Sequence, residues 1–180
     1  MLIDEAIEAA KLGGKLIPAR PVVPWAGEPR AFLMCQCLRD EIKEGQQNND
    51  PGIRKRWAQL EADISLFIEG GYVTSDFLKQ LDPWKFEHWE LISRRPKPSI
   101  RVFGRFAKPD VFIGTHTRLR GELGKKWSPQ FENTKLVCED HWKDAGLPIE
   151  PPPGAFTDAP YFRYEAYVTS NASRELKVPS

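Results

Sequence analysis

Hydrophobic residues recur at the three- and four-residue spacing of an amphipathic helix in four segments of the chain. The clearest is Ile53–Glu69, where Trp57, Leu60 and Ile64 fall on one stripe and Gly70 follows as a stop signal. We expect Trp57 on this stripe to be a core residue. A short helix is predicted after Thr74 or Ser75. The four predicted helices are Ile3–Leu12, Glu28–Lys43, Ile53–Glu69 and a segment from about Asn133 to Ala145.

The period of the pattern changes to two in the middle of the chain, which is typical of half-buried strands. Three segments alternate in this way: His88–Ser93, Ile100–Phe106 and Asp110–Arg118. The sequences RPKP and AKPD separate them, and both are turn-forming. Such short connections predict an antiparallel meander, one face of which packs on the Trp57 helix.

Two further segments are predicted to be extended. Lys15–Trp25 contains three prolines among aliphatic residues, which indicates an edge strand or a loop. Pro160–Thr169 alternates and predicts a final strand after the stiff bend EPPPG, and the tail from Ser170 is expected to fray.

These elements predict an α+β fold in which an antiparallel meander of three to four strands packs on helices. The expected organisation is a helical N-terminal extension over residues 1–50, a core over 51–126 and a C-terminal region over 127–180. The last region would hold a helix, the proline-rich bend and the terminal strand.

Composition narrows the class of protein. The 180 residues are 41% hydrophobic and include six Trp, which excludes a wholly disordered chain. No apolar run is long enough for a membrane span, and the acidic start of the chain does not resemble a secretory signal. Three cysteines at this spacing do not form a disulfide framework. We therefore expect a cytoplasmic protein without membrane partners.

Metal and cofactor sites are not predicted. Cys35 and Cys37 fall in a predicted helix, where their side chains would point about 200° apart and could not chelate one ion. Buried or half-buried thiols are the expected state. His88 and His141 have no ligand spacing around them, and the chain has no P-loop or dinucleotide-binding motif.

Positive charge is concentrated in one block of the chain. Residues 94–126 contain ten basic and two acidic side chains, a net charge of +8, whereas the flanking segments carry −4 and −3. Such a field attracts phosphate backbones or an acidic protein face. The alternative is that these charges pair with the acidic flanks in the fold.

The predicted strands place arginines and aromatic side chains together on one face of the sheet. Arg101, Phe103 and Arg105 alternate away from the apolar face, and His116 and Arg118 share a face of the next strand with Phe112 and Gly114. If the helix that contains Trp142 covers this face, the candidate site is closed. The alternatives are a hydrogen-bonded sheet histidine at position 116 and a second small core around Phe103 and Phe112.

The segment Ile53–Leu119 contains a long helix, a GG turn and three strand sequences in succession. The positions of interest are Leu81, Trp89, Glu90 and Leu91 in the first strand sequence, Arg101, Val102 and Phe103 in the second, and Val111 to His116 in the third. At these positions the segment resembles the RelE/HigB-like toxin superfamily, including its phage-derived relatives. The third strand departs from the family because it continues into Thr117–Arg120 instead of a lysine-containing helical segment, and both termini are longer.

The resemblance implies an open sheet face that binds mRNA on the ribosome, where the RNA 2′-hydroxyl attacks the adjacent phosphate. Arg101 and Arg105 would then stabilise charge on the phosphate, and His116 would transfer protons as the third candidate catalytic residue. Phe103 could stack a base. The remaining candidate binding residues are Arg94, Arg95, Lys97, Arg118, Arg120, Lys125 and Lys126.

Three classes of function follow. The leading hypothesis is a RelE-like protein that engages RNA or a ribonucleoprotein, as a metal-independent mRNA endonuclease toxin with an antitoxin partner. The second is a non-enzymatic inhibitor from a phage or mobile element, for example an anti-CRISPR protein, that binds a host nucleoprotein complex or an acidic host protein. The third is a phage-related structural interaction protein.

Overall fold

A computed structural model describes residues 1–22, 28–81, 87–149 and 167–169. Its four helices are α1 (Ile3–Leu12), α2 (Gln36–Gln46), α3 (Pro51–Ile68) and α4 (Pro129–Asp144). Its six strands are β1 (Leu16–Pro18), β2 (Ala31–Cys35), β3 (Leu78–Gln80), β4 (Trp89–Ser93), β5 (Ile100–Lys108) and β6 (Val111–Leu119). A 3-10 turn, Arg120–Glu122, follows β6. The fold is α+β.

The six strands form one mixed sheet in the order β1-β2-β6-β5-β4-β3. The β3–β4, β4–β5, β5–β6 and β1–β2 pairs are antiparallel, whereas β2 runs parallel to β6. The sheet is therefore larger than the three to four strands predicted, and it is not wholly antiparallel. A parallel pair needs a crossover connection, and α2 and α3 lie in the chain between β2 and the later strands.

Helices cover both faces of the sheet. Side chains of α2 and α3 form one core with the sheet, in which Leu60, Phe67, Trp89 and Phe112 are all at most 1% exposed. Side chains of α1 and α4 form a second core on the opposite face, around Phe103. Each sheet face thus buries apolar area on helices, which is the main favourable term in folding.

The N-terminal segment departs most from prediction. Residues 28–43 were predicted as one helix, but Ala31–Cys35 is strand β2 and the helix begins only at Gln36. The strand forms because Ala31 to Met34 pair with Val111 to Gly114 of β6, a contact that local spacing does not encode. Residues 1–50 therefore supply two strands of the common sheet and two helices, rather than a helical extension.

Local capping fixes the two long helices. The Asp50 side chain caps α3 by accepting from the backbone N–H of Gly52 at 2.7 Å, and Pro51 occupies the first turn. Ser128 caps α4 in the same way, so this helix begins before the predicted start at Asn133. The predicted short helix after Thr74 is instead a turn that leads into β3.

The predicted extended segments are described in part. β1 lies at one edge of the sheet, while residues 23–25 of the predicted segment Lys15–Trp25 lie outside the described residues. The bend EPPPG, the tail from Ser170 and most of Pro160–Thr169 also lie outside them. Within residues 167–169, the carbonyl of Tyr167 accepts from the N–H of Asp110 at 2.8 Å.

A bulge in β6 changes which residues share a face. Phe103 pairs with His116 but Gly104 pairs with Gly114, so Thr115 is an extra residue in the ladder. Phe112 therefore packs toward α2 and α3, whereas His116 lies on the face of Phe103. The prediction that Phe112 and His116 share a face was wrong, because strict alternation fails at a bulge.

No helix among the described residues is long and apolar enough to cross a membrane.

Candidate functional site

The sheet face that carries Phe103 and Arg105 is covered by α4. Phe103 and His116 are both 0% exposed, and Arg105 is 2% exposed. The ring of Phe131 in α4 packs edge-on against Phe103, with centroids 6.3 Å apart. The candidate catalytic site required this face to be open. It is closed in this structure, and a phosphate cannot reach Arg105 or His116 without displacement of α4.

His116 has the environment of a packed sheet histidine. The hydroxyl of Thr115 donates to the carbonyl of Phe103 at 3.1 Å and lies 2.9 Å from Nδ1 of His116. The hydroxyl hydrogen is thereby used, so the ring is assigned Nδ1–H as donor to this oxygen. Burial lowers the pKa of His116 from 6.5 to about 3, and the charges of Arg118 and His141 add to the shift. The imidazole is neutral near pH 7 and unsuited to proton transfer there.

Arg105 connects the sheet to α4 and the segment after it. Its guanidinium lies over the indole of Trp142 at 5.1 Å and donates to the carbonyl of Ile149. Trp142 in turn donates from Nε1 to the carbonyl of Pro148 at 2.7 Å. Burial lowers the pKa of Arg105. These contacts give Arg105 a structural role under the helix.

Arg101 lies on the same face but has its own partner. Its guanidinium forms an ion pair with Glu90 at 2.8 Å, and the two side chains are 16% and 5% exposed. Burial raises the pKa of the Glu90 carboxyl, and the positive charge of Arg101 opposes that rise. The three predicted catalytic residues thus share one sheet face, as predicted, but each is engaged by packing or pairing rather than directed at solvent.

The accessible cations lie instead at one end of the sheet. The β4–β5 loop and the segment after β6 meet there, because Ile100 pairs with Leu119 and the N–H of Arg120 donates to the carbonyl of Ser99 at 2.9 Å. These two loops carry six exposed basic residues at this end of the sheet, which we call the basic end: Arg94, Arg95, Lys97, Arg120, Lys125 and Lys126.

Local pairing neutralises only part of the basic end. Arg94 forms an exposed ion pair with Asp76 at 2.8 Å. Arg120 donates to the carbonyl of Gly124 at 2.8 Å, and its positive charge acts on the Glu90 carboxyl without a direct ion pair. Within the described residues, Arg95, Lys97 and Lys125 make no ion pair. The alternative prediction, that the charges of residues 94–126 pair with the acidic flanks, therefore accounts for only some of the positive charge.

An exposed aromatic side chain accompanies these cations. Trp127 is 62% exposed and adopts a positive φ of 68° directly after Lys126. The ammonium groups of Lys126 and Lys135 lie 5.1 and 4.8 Å from its ring. Trp127 is not among the site residues predicted from the sequence, although its position directly after Lys125 and Lys126 is a signal that could have identified it. Cations beside an exposed aromatic ring are typical of surfaces that bind single-stranded nucleic acid.

A groove of about 870 Å³ opens beside the basic end. It lies between the α2–α3 connection, the start of α3, the β4–β5 loop and the end of β6, and Lys97 and Arg118 are part of its lining. Trp57 lines it as well and is half-buried rather than fully in the core. Its indole lies against Gly45, where an added Cβ would be 2.2 Å from Cγ of Trp57.

A buried arginine holds the loop that forms one wall of this groove. Arg56 of α3 is 3% exposed and donates from Nε to the carbonyl of Pro98 at 2.6 Å. Its other nitrogens donate to the hydroxyl and carbonyl of Ser93, and that hydroxyl donates to Asp63. The second turn of α3 thereby fixes the β4–β5 loop that contains Lys97.

The described cysteines have the environment expected of unreactive thiols. Cys35 and Cys138 are buried, and burial raises the pKa of each to about 12. Cys35 ends β2 and precedes α2, so the prediction that it lies in a helix was wrong.

Among the described residues, no group of three or more His, Cys, Asp or Glu side chains is arranged to hold a metal ion.

Comparison with known proteins finds no matching family profile, no matching curated protein and no matching solved structure.

Proposed function

We propose that this protein binds RNA, alone or within a ribonucleoprotein, through the basic end and does not cleave it. The observation that carries the proposal is the meeting of two loops that expose six cations at one end of the sheet. Nucleic-acid affinity rises with each phosphate that a Lys or Arg neutralises, because condensed counterions are released.

Trp127 favours a single-stranded nucleic acid over an acidic protein as the partner. An acidic protein surface would need only the positive charges for binding. The exposed indole beside Lys126 offers in addition a stacking surface for an unpaired base. Stacking tolerates any base, so this arrangement supports binding with little sequence preference.

Absence of cleavage is proposed because the predicted catalytic residues are enclosed. Metal-independent phosphodiester cleavage needs cations and a proton-transfer group at the phosphate. Arg105 and His116 are buried under α4, and Arg101 is paired with Glu90. This geometry favours the non-enzymatic class, such as a mobile-element inhibitor of a host nucleoprotein complex, over the endonuclease toxin.

The RelE-like relationship is retained as a proposal about the fold. Two observations support it: the helical pair α2 and α3 packs on one face of the sheet, and β4, β5 and β6 follow in antiparallel pairs. On this proposal, α1, α4 and β1 are additions that close the sheet on its other face and edge.

The test is RNA binding by a charge-reversed variant and a matched control. Fluorescence polarisation with a short labelled single-stranded RNA would compare the wild type with Arg95→Glu/Lys97→Glu/Lys125→Glu. The control, Arg20→Glu/Arg39→Glu/Lys43→Glu, makes the same change in net charge at exposed positions elsewhere. We expect the first variant to lose at least about tenfold in affinity and the control less than about threefold.

Equal losses of affinity in the two variants would show that RNA binding depends on net charge alone. That result would contradict specific binding at the basic end. Gel analysis of the same RNA after incubation tests the second half of the proposal, because fragments that Arg105→Ala abolishes would restore the endonuclease hypothesis. Tight binding of an acidic protein without RNA binding would identify the other class of partner.

A further inference from the structure

The groove beside the basic end combines an apolar lining with charged groups at its rim. Trp57 and Ile53 line one side, and Ile53 is 41% exposed although it is aliphatic. Pro98 and Leu119 line the opposite side. A groove of about 870 Å³ has the size of a small-ligand site, and eight charged residues, four basic and four acidic, line it together with the apolar side chains.

We propose that this groove holds one nucleotide, either free or as an unstacked residue of an RNA strand bound at the basic end. Binding of a nucleotide within an RNA strand rests on the proposed function. Binding of a free nucleotide does not, because it needs only the groove.

The position of the cations supports a phosphate-bearing ligand. Lys97 belongs both to the basic end and to the groove lining, so a strand that follows the exposed cations passes the mouth of the groove. Arg118 also lines it, half-buried, with one guanidinium nitrogen donating to the carbonyl of Thr117 at 2.7 Å. Arginine retains further donors in its planar fork, which suits phosphate.

The carboxylates in the lining support a base in addition to a phosphate. Glu41 accepts from the backbone N–H of Thr117 at 2.6 Å and from its hydroxyl at 2.8 Å, which fixes the carboxylate in place. A fixed carboxylate accepts from exocyclic amino groups of bases. Glu44 and Glu122 also line the groove and would repel a bare anion. Inorganic phosphate is therefore expected to bind much more weakly than a nucleotide.

The aromatic side chain gives the base a surface. Trp57 is held by its contact with Gly45 and is thus ordered before a ligand arrives. A pre-ordered aromatic ring loses little conformational entropy on binding. An unpaired base is a planar apolar group that such a ring accepts by stacking.

Isothermal titration calorimetry of the full chain with AMP, GMP, CMP and UMP, and separately with inorganic phosphate, tests the groove. Ile53→Trp fills it from an exposed position of α3. Leu136→Trp is the matched control, since Leu136 is an exposed aliphatic residue of α4 and does not line the groove. We expect at least one nucleotide to bind at least tenfold more tightly than phosphate. Ile53→Trp should weaken that binding at least tenfold, and Leu136→Trp should not.

Two results would overturn the proposal: no nucleotide binding above that of phosphate, or equal binding by wild type and Ile53→Trp. Single-stranded RNA separates the sources. A strand whose affinity also falls in Ile53→Trp uses the groove as a nucleotide subsite. A strand whose affinity is unchanged, while nucleotide binding is lost, assigns the groove to free nucleotides.

The proposed function fails separately from this inference. RNA binding that survives the basic-end reversal contradicts the basic end but leaves nucleotide binding by the groove intact. RNA binding that depends on the basic end, with no nucleotide binding, contradicts the groove alone.

Discussion

His116 stacks on Phe103 across β5 and β6, with ring centroids 5.4 Å apart and planes inclined by 18°. Both rings are fully buried, and Phe131 closes over them from α4. A histidine in this position packs on a neighbouring ring and makes one hydrogen bond, so we expect its protonation to affect the stability of the fold.

Stability should fall in acid because of His116. Its pKa is lowered to about 3 in the folded chain and is 6.5 in the unfolded chain, so the unfolded state binds the proton first as pH drops. The stability that neutral His116 contributes is fully present above about pH 6.5 and is lost progressively toward pH 3. Between these values the free energy of unfolding falls by at most about 1.4 kcal/mol per pH unit. Urea unfolding at a series of pH values measures this slope.

His116→Phe is the control for that slope. It keeps a ring against Phe103 but removes the titrating group, and the loss of the partner of Thr115 should cost about 1 kcal/mol near neutral pH. The wild type should therefore be the more stable protein near neutral pH and the less stable one below about pH 6, where its loss exceeds about 1 kcal/mol. Parallel stability curves for wild type and variant would refute the assignment of the acid sensitivity to this residue.

Gly45→Ala should destabilise the protein through Trp57. The added Cβ would lie 2.2 Å from Cγ of Trp57, and overpacking of this kind costs about 1–3 kcal/mol. That cost exceeds the gain of about 1 kcal/mol expected from replacing Gly by Ala in a helix. Chemical denaturation measures the net change. In a Trp57→Ala background the clash is gone, and the same substitution should become stabilising.

Gly121→Ala is the matched control for Gly45→Ala. No atom lies within 4 Å of a Cβ added at Gly121, so we expect a stability change below about 0.5 kcal/mol. If Gly45→Ala lowers stability equally with and without the indole, contact with Trp57 is not the cause.

Arg56→Met should cost about 1–3 kcal/mol, because it removes the donor to the Pro98 carbonyl and leaves the buried Ser93 carbonyl only its longer bond from the Ser99 hydroxyl. Arg56→Lys should recover only part of that loss, since a single ammonium lacks the planar fork that spans both carbonyls. Arg54→Met on the same helix is the control: its contacts with Asn48 and Asn49 are exposed, and its effect should stay within about 1 kcal/mol. Equal losses at positions 54 and 56 would contradict this role for Arg56.

Trp127→Ala should weaken single-stranded RNA binding by about 1–3 kcal/mol, the value typical of one stacked base. Its thermal unfolding should barely change, because the side chain is 62% exposed. Trp127→Phe should retain most of the affinity, since a smaller ring still stacks. Fluorescence polarisation and a thermal melt on the same samples provide both readouts, and undiminished affinity in Trp127→Ala would remove Trp127 from the interface.

The central strands could be predicted because their pattern is local. Alternation over His88–Ser93, Ile100–Phe106 and Asp110–Arg118 corresponds to β4, β5 and β6 within about two residues at each end. Strand β2 could not be predicted in this way. Phe32, Cys35 and Leu38 have helical spacing. Only pairing makes the first two part of a strand, Phe32 with β6, which is distant in sequence, and Cys35 with β1.

Part of the candidate site could likewise be predicted from the sequence, and part could not. The cations of the basic end follow from a charge count, which needs no tertiary information. Closure of the sheet face depends on where α4 packs, and the side chains that do it, such as Trp142 and Phe131, have no marker that distinguishes them from any amphipathic helix. The bulge at Thr115 is also set by the ladder rather than by the residue itself.

The parallel contact between β2 and β6 has a consequence for any attempt to shorten the chain. A fragment that begins at Pro51 would lack β2, so the backbone groups of Val111 to Gly114 that face β2 would lose their partners, while those that face β5 would keep theirs. An exposed, apolar edge strand pairs with strands of other molecules, so such a fragment should aggregate. The first fifty residues thus protect the sheet from its own copies.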